Sequence, residues 1–342
     1  MPPRPTAAVT GAFSYTGRYL TRRLLDAGYN VINLSGNPRP EAMASFTEEE
    51  RTHRLSSVPL DFSQTCPSFS ASASTAAAST ATSLPAALEG VDVLFCTYWI
   101  RFAVDGDSHT KAADRVAGLF DLAKRVGVGK VVFSSHTQAT ESSPFTYIAG
   151  KARAAAALRA TGVPYGIVRP CGIFGDTPLE SILMNNAAWV LRRSPLFLLA
   201  GDGAHQFQPI HVRDMADLMF DIGTGGGVAD ERDACGPDVP TARELFSAIG
   251  KAVGSPAAVV PSGLPTRVVT KLTRPIDWYT GDILLDADDL DLLCSGLTVA
   301  NDPDDPAIAA RRSVFEWIDE VAPGLGTEYV SSMQRYYGQK PG

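Results

Sequence analysis

VTGAFSYTGRYL, residues 9–20, decides how the rest of the chain is read. A strand-forming run ends in a Thr-Gly turn that leads through small residues into a helix, the layout of a turn that holds a dinucleotide. Gly11 and Gly17 occupy the first and last glycine positions of that layout, and Ser14 stands where a middle glycine is expected. That middle position needs only a small residue when its φ is negative, and a serine hydroxyl can itself donate to a phosphate oxygen. A helix N-terminus adds free N–H groups and a partial positive charge, which suit a pyrophosphate. Gly11, Ser14, Tyr15, Gly17 and Arg18 are therefore assigned to cofactor binding.

Outward from this turn, short β-rich runs alternate with helical stretches. Strands are expected at 6–10, 30–34, 56–62, 92–98, 130–135 and 166–170, and helices at 17–27, 110–127 and 150–162. Such alternation gives an α/β fold, a Rossmann-type doubly wound parallel sheet. We expect an NAD(P)-binding domain over 1–230 and a smaller, mainly helical substrate-side lid region over 231–342, where the alternation fades. Gly28 reads as the stop of the first helix. Thr241 with Glu244 reads as the capping box of a helix over 241–254. Residues 70–83 are all Ser, Ala and Thr. They read as a flexible surface insertion, with a short Ala-driven helix as the alternative.

The bulk composition narrows the function. The 342 residues carry a formal charge of −7, with 45% hydrophobic and 20% charged residues, as in a soluble globular protein. The acidic balance speaks against nucleic acid or an anionic membrane as the main partner. Apolar runs such as PLFLLA (195–200) fall far short of the ~20 residues of a membrane span. The N-terminus has no apolar signal core, so a cytoplasmic location is expected, or an organelle matrix or stroma if a transit peptide has been removed. The cysteines (66, 96, 171, 235, 294) form no CxxC pair, and the five histidines make no zinc constellation, so no metal is expected. His205 and His211 read as structural. The six aspartates between 277 and 291 lack calcium-loop spacing and read as a solvated helix face.

Which dinucleotide is preferred follows from the end of the second strand. It runs into SGNPRP (35–40), with Ser35 and Arg39 and without the carboxylate that usually holds the ribose hydroxyls of NAD. A 2′-phosphate would be tolerated there and could pair with Arg39 or Arg18, so NADP(H) is expected over NAD(H). Asp61, closing the third strand, is placed to meet an adenine amino group or to cap a turn. Thr97 ends the fourth strand on the cofactor side. Tyr98, Trp99 and Arg101 follow it at the carboxyl edge of the sheet, where they could wall a pocket, contact an anionic substrate or simply pack.

A second motif, YIAGK, puts Tyr147 and Lys151 four apart on one helical face. An ammonium near a phenol stabilises the phenolate, which suits the tyrosine to acid/base work. The pair begins twelve residues after Ser135, at a strand end. Together VTGAFSYTG, PLDF, VVFSSHT, YIAGK and IVRPCGIFG resemble the short-chain dehydrogenase/reductase superfamily, in its extended or atypical branch. QPIHVRDMADLM (208–219) is similar to a later segment of sugar-nucleotide epimerases. TYWIRF (97–102), SPFTYIAGKA (143–152) and ILMNNAAWVLRR (182–193) look most like NmrA-like regulators and a nucleotide-binding accessory subunit of respiratory complex I.

The resemblance covers roughly residues 6–220 well, and it implies roles. Tyr147 would be the proton donor or acceptor, Lys151 would hold the nicotinamide ribose, and Ser135 would orient the substrate oxygen. SSHT leaves that hydroxyl open among Ser134, Ser135 and Thr137, with His136 a further candidate. Asn185 and Asn186 could reach a substrate or lie on a helix surface; Arg192 and Arg193 could accept a phosphate or face water. Two functions follow: an NADP-dependent oxidoreductase or epimerase acting on a small carbonyl or alcohol, or a non-catalytic NADPH-binding sensor or accessory subunit. A small-molecule substrate is the expected partner, with a homodimer or a place in a larger complex also compatible.

Overall fold

The computed structural model describes residues 3–35, 43–65, 82–103, 106–282, 287–303 and 305–337. The chain forms two compact units, one of residues up to 169 with 215–232, the other of 170–214 with residues from 233 onward. The second unit thus takes in 170–214, which the sequence boundary at 230/231 leaves in the first. The chain leaves the first unit after Arg169 and returns to it at Met215, an excursion that strand-helix alternation does not reveal.

In the first unit the elements are β1 (Thr6–Thr10), α1 (Tyr15–Asp26), β2 (Asn30–Leu34), α2 (Glu48–His53), β3 (Leu55–Val58), α3 (Leu84–Leu88), β4 (Val93–Cys96), α4 (His109–Arg125), β5 (Lys130–Ser134), α5 (Thr146–Thr161) and β6 (Tyr165–Pro170). The seven-stranded sheet runs from the strand Ala229–Ala234 through β6, β5, β4, β1 and β2 to β3. All five neighbour pairs among β1–β6 are parallel, and β1 matches β2 from Thr6 opposite Asn30 to Thr10 opposite Leu34. This is a Rossmann-like α/β fold. Its strand order reverses at β1, flanked by β4 and β2, and ligands bind in doubly wound sheets where the order reverses.

Helices cover both faces of the sheet, so its strands are apolar throughout: Ala7, Ala8, Val9, Leu94, Phe95, Val131, Val132 and Phe133 are wholly buried. Gly28 ends α1 at φ 91°. The Tyr29 N–H reaches back to the Leu24 carbonyl at 3.0 Å and closes the turn. The third strand is shorter than 56–62, because Asp61 turns the chain into a single 3-10 turn at Phe62–Gln64. Of the Ser/Ala/Thr tract, 70–81 lie outside the described residues, and Ser83 caps α3.

The second unit packs helices Ile182–Leu191, Ala242–Ala252 and Val314–Val321 around Phe174, Leu191, Phe246 and Trp317. The expected capping box is present, with Thr241 Oγ1 accepting from Glu244 N–H and Glu244 accepting from Thr241 N–H. Asp282 departs from the expected solvated face, being 5% exposed. Its carboxylate accepts from the Tyr329 hydroxyl at 2.9 Å, from Ser332 N–H at 2.8 Å and from Met333 N–H at 3.2 Å. The free N–H groups and partial positive charge at that helix start offset the burial of its carboxylate. Asp286 lies outside the described residues.

Candidate cofactor and active site

The β1–α1 turn is built by steric exclusion. Gly11 has φ 70°, a left-handed conformation that glycine adopts without strain. A Cβ at Gly17 would lie 2.0 Å from the Gly11 carbonyl oxygen, so no side chain fits there. Ser14 has φ −73°, which any residue tolerates, and its Oγ accepts from Gly17 N–H at 3.3 Å as the N-cap of α1. A hydroxyl that accepts keeps its own hydrogen, which remains available to a phosphate. The first turn of α1 holds no acidic residue. A cradle that a single Cβ would fill, opening onto a helix start free of carboxylates, fits a pyrophosphate.

Neighbouring strands brace this turn. Ala12 N–H donates to Asn33 Oδ1 at 2.9 Å, and Gly11 N–H to the Leu34 carbonyl at 2.8 Å. Thr97 closes β4 onto β1: its hydroxyl donates to the Thr10 carbonyl at 2.6 Å and its N–H to Thr10 Oγ1 at 2.8 Å. Ser35 is held to β3 through its N–H on the Val58 carbonyl. Arg18 lies over the Tyr19 ring, and Tyr15 meets Tyr19 edge-on. Asp61 accepts from Ser63 N–H at 2.9 Å and from Gln64 Nε2 at 3.1 Å, and hydrogen bonding to Ser63 holds its carboxyl below the usual range. Its carboxylate is thus engaged as a turn cap. Arg39 lies outside the described residues.

Beyond β4 and β5 a second cluster forms. α5 starts at Thr146, four residues before the predicted 150, so Tyr147 stands in its first turn and Lys151 one turn on. Lys151 is 3% exposed, and its Nζ donates to the Ser134 carbonyl at 2.6 Å. The ammonium lies 4.3 Å from the Trp99 ring centre, 5.0 Å from Phe133 and 6.0 Å from Tyr147. No carboxylate pairs with it among the described residues, and burial pushes its pKa down to about 7.

Three rings meet Tyr147 edge-on: His109 at 5.3 Å, His136 at 5.9 Å and Trp99 at 6.1 Å between centres. Gly150 admits this packing, since a Cβ there would come within 3.0 Å of the His109 carbonyl oxygen and 3.1 Å of the Trp99 ring. Trp99 Nε1 and His109 Nδ1 are buried without a hydrogen-bond partner among the described residues. Burial keeps both histidines neutral at pH 7, His109 below its usual pKa and His136 down to about 4. The sequence reading missed His109 by starting that helix at 110. The signal was present: Ser108 is a good N-cap, and His109 opens a helix at the carboxyl edge of the sheet.

The other assigned residues are placed as follows. Ser135 is 3% exposed and extends the β5 ladder through its N–H on the Val168 carbonyl. Thr137 is wholly buried beside His136. The Tyr98 hydroxyl accepts from Arg115 Nη1 at 3.1 Å and its ring lies 4.8 Å from Phe62. Arg101 is exposed beside Phe102. In the second unit Asn185 is fully buried, so it is not on a helix surface. Its Nδ2 donates to the Glu328 carbonyl at 2.8 Å and its Oδ1 accepts from Gly326 N–H at 3.0 Å. Arg192 donates to the Leu325 and Ala322 carbonyls and Arg193 to those of Gly326 and Thr327. All three tie the 322–328 segment to their helix. His205 and His211 contact Cys294 and Asp176 respectively, and no group of three metal-ligating side chains occurs among the described residues.

A parallel sheet whose order reverses at a glycine-lined turn, with a Tyr-Lys pair on the helix that follows β5, is the kind of α/β fold on which NAD(P)-dependent oxidoreductases and epimerases are built. Residues 67–187 match a family model described as NAD(P)H-binding. Among solved structures, the Citrobacter sp. triphenylmethane reductase is similar over 93% of this chain and 99% of its own, at 15% identity and a TM-score of 0.69. An NADPH-dependent quinone oxidoreductase from Escherichia coli, complexed with NADPH, is similar over 92% and 99%, at 16% identity and a TM-score of 0.66. A nucleoside-diphosphate-sugar epimerase from Staphylococcus aureus reaches 0.63 over the same shares, at 16% identity. These neighbours share the fold that the resemblance implies. No curated protein sequence matches the chain. No helix among the described residues is long and apolar enough to cross a membrane.

Proposed function

We propose that this protein is an NADP(H)-dependent oxidoreductase of the short-chain dehydrogenase type, acting on a small carbonyl or alcohol. The observation that carries this reading is Lys151: a buried ammonium with no carboxylate partner among the described residues, one helical turn from Tyr147. Burying an unpaired charge costs stability, and groups with strongly displaced pKa values gather at functional sites. When bound, the nicotinamide cofactor supplies or accepts the hydride. Gly11, Ser14 and Gly17 would hold its pyrophosphate, and Lys151 its ribose.

Tyr147 moves a proton to or from the substrate oxygen, and the Lys151 charge eases ionisation of the phenol. Ser135 donates to that oxygen as charge develops on it. Two observations support NADP(H) over NAD(H): Ser35, not a carboxylate, follows β2, and Arg18 stands in the first turn of α1. Fluorescence titration with NADPH and NADH tests the reading on the wild type, Lys151→Ala and Tyr147→Phe. We expect tighter binding of NADPH, at least a tenfold loss in Lys151→Ala, and binding without turnover in Tyr147→Phe on any carbonyl the wild type reduces. Failure to bind either nucleotide, or full turnover by Tyr147→Phe, overturns it.

A further inference from the structure

The chain's net charge of −7 hides a local reversal on the helix Thr266–Thr280 of the second unit. Arg267, Lys271 and Arg274, spaced to share one face, are all exposed, and none has an ion-pair or side-chain hydrogen-bond partner among the described residues. Elsewhere arginines are used internally: Arg22 pairs with Glu50, Arg159 with Glu231, Arg213 with Asp176 and Arg312 with Asp214.

Beside this cationic stripe runs an apolar one. Val268 and Leu272 are 39% and 53% exposed, and the helix ends in Trp278 and Tyr279 at 87% and 75%. The face across from the cations is the one that packs, with Val269 buried against Ala200 and Leu290. An exposed indole on a soluble surface forgoes its burial energy unless something covers it. Cations flanking an apolar stripe, with amphipathic rings at one end, are the composition that lies along a lipid headgroup layer.

We propose that the helix Thr266–Thr280 is a docking face for an anionic bilayer surface. Val268, Leu272 and the two rings would enter the headgroup layer, and the three cations would pair with lipid phosphates. The acidic remainder of the chain would keep the attachment weak and reversible. This inference is independent of the catalytic reading, because it needs neither the nucleotide nor turnover.

The test is flotation of the purified full chain with vesicles of phosphatidylcholine alone and of an equimolar phosphatidylcholine–phosphatidylglycerol mixture. We expect binding to the mixed vesicles only, abolished by high salt. The triple variant R267Q/K271Q/R274Q should bind about a hundredfold more weakly. Trp278→Phe should abolish the blue shift in tryptophan emission that marks entry into the headgroup layer. All these side chains are exposed, so unchanged circular dichroism and thermal midpoint will confirm that the variants fold. Equal binding to both vesicle types, retention by the triple variant, or no flotation at all would overturn the proposal; the last would direct the face to an acidic protein surface.

Discussion

The two stretches that build the site in the first unit do so by opposite means. In the β1–α1 turn, geometry follows from what cannot fit: Gly17 faces the Gly11 carbonyl at a distance that excludes any Cβ, and Gly11 takes a positive φ. In α5, geometry follows from what is costly to bury. Lys151 lies among Trp99, Phe133 and Tyr147, and among the described residues only the Ser134 carbonyl accepts from it. A steric site tolerates no added atom and is indifferent to pH. An electrostatic site tolerates shape changes better and responds to pH.

The sharpest way to break this comparison is Gly17→Ala. One methyl placed 2.0 Å from a backbone oxygen forces the turn open, because the Gly11 carbonyl it meets is backbone and cannot swing aside. NADPH binding should fall at least a hundredfold in the fluorescence titration, with a lower thermal midpoint and no change in the pH dependence of stability. An alanine variant that binds normally would mean that the turn is softer than its geometry implies.

Lys151→Met tests the electrostatic half. The folded-state pKa, about 7, lies below the ordinary lysine value of 10.5. Between those values the unfolded chain holds a proton that the folded chain has released, so stability rises with pH. Below about pH 7 both states are charged, and the penalty of burying the ammonium is fully present. Wild-type protein should therefore gain about 2 kcal/mol relative to Lys151→Met between pH 7 and pH 9, measured by denaturant unfolding. Parallel pH profiles would show that the ammonium is hydrated after all.

Legibility divides along the same line. The turn could be read from letters because glycine spacing is a steric code, and Ser14 could be read as tolerable because it is small, needs only a negative φ and carries a hydroxyl that can serve the turn. The doubly wound parallel sheet could be read because alternation of strand and helix permits few topologies. The cluster around Tyr147 was legible only in part. The spacing of Tyr147 and Lys151 is local, but the edge-on contacts of His109 and His136 depend on where α4 and β5 end. Asn185 was opaque for another reason. A buried amide and an exposed one look alike in sequence, and its partners, the backbone of Gly326 and Glu328, lie more than a hundred residues away.

Gly150→Ala joins the two halves, because a steric change acts there on the electrostatic cluster. Alanine favours a helix interior over glycine by about 1 kcal/mol. Its methyl would press on the His109 carbonyl and on Trp99, both fixed by packing. We expect a net loss of about 1 kcal/mol in denaturant unfolding, with the Lys151 titration moved as Trp99 shifts. A gain in stability would show that the α4–α5 seam yields.

The smallest effects are expected at Ser14, where one hydroxyl serves both kinds of site. As N-cap it accepts from Gly17 N–H, and replacing such a cap by alanine costs about 1 kcal/mol, by glycine only a few tenths. As donor to a phosphate its loss would cost about tenfold in affinity, whichever residue replaces it. Ser14→Ala and Ser14→Gly should therefore differ in thermal stability yet lose NADPH affinity equally. If instead affinity follows stability, with glycine close to wild type, the hydroxyl acts only by shaping the turn. Ser14 would then be a steric residue like its neighbours Gly11 and Gly17, and the phosphate would be held by backbone alone.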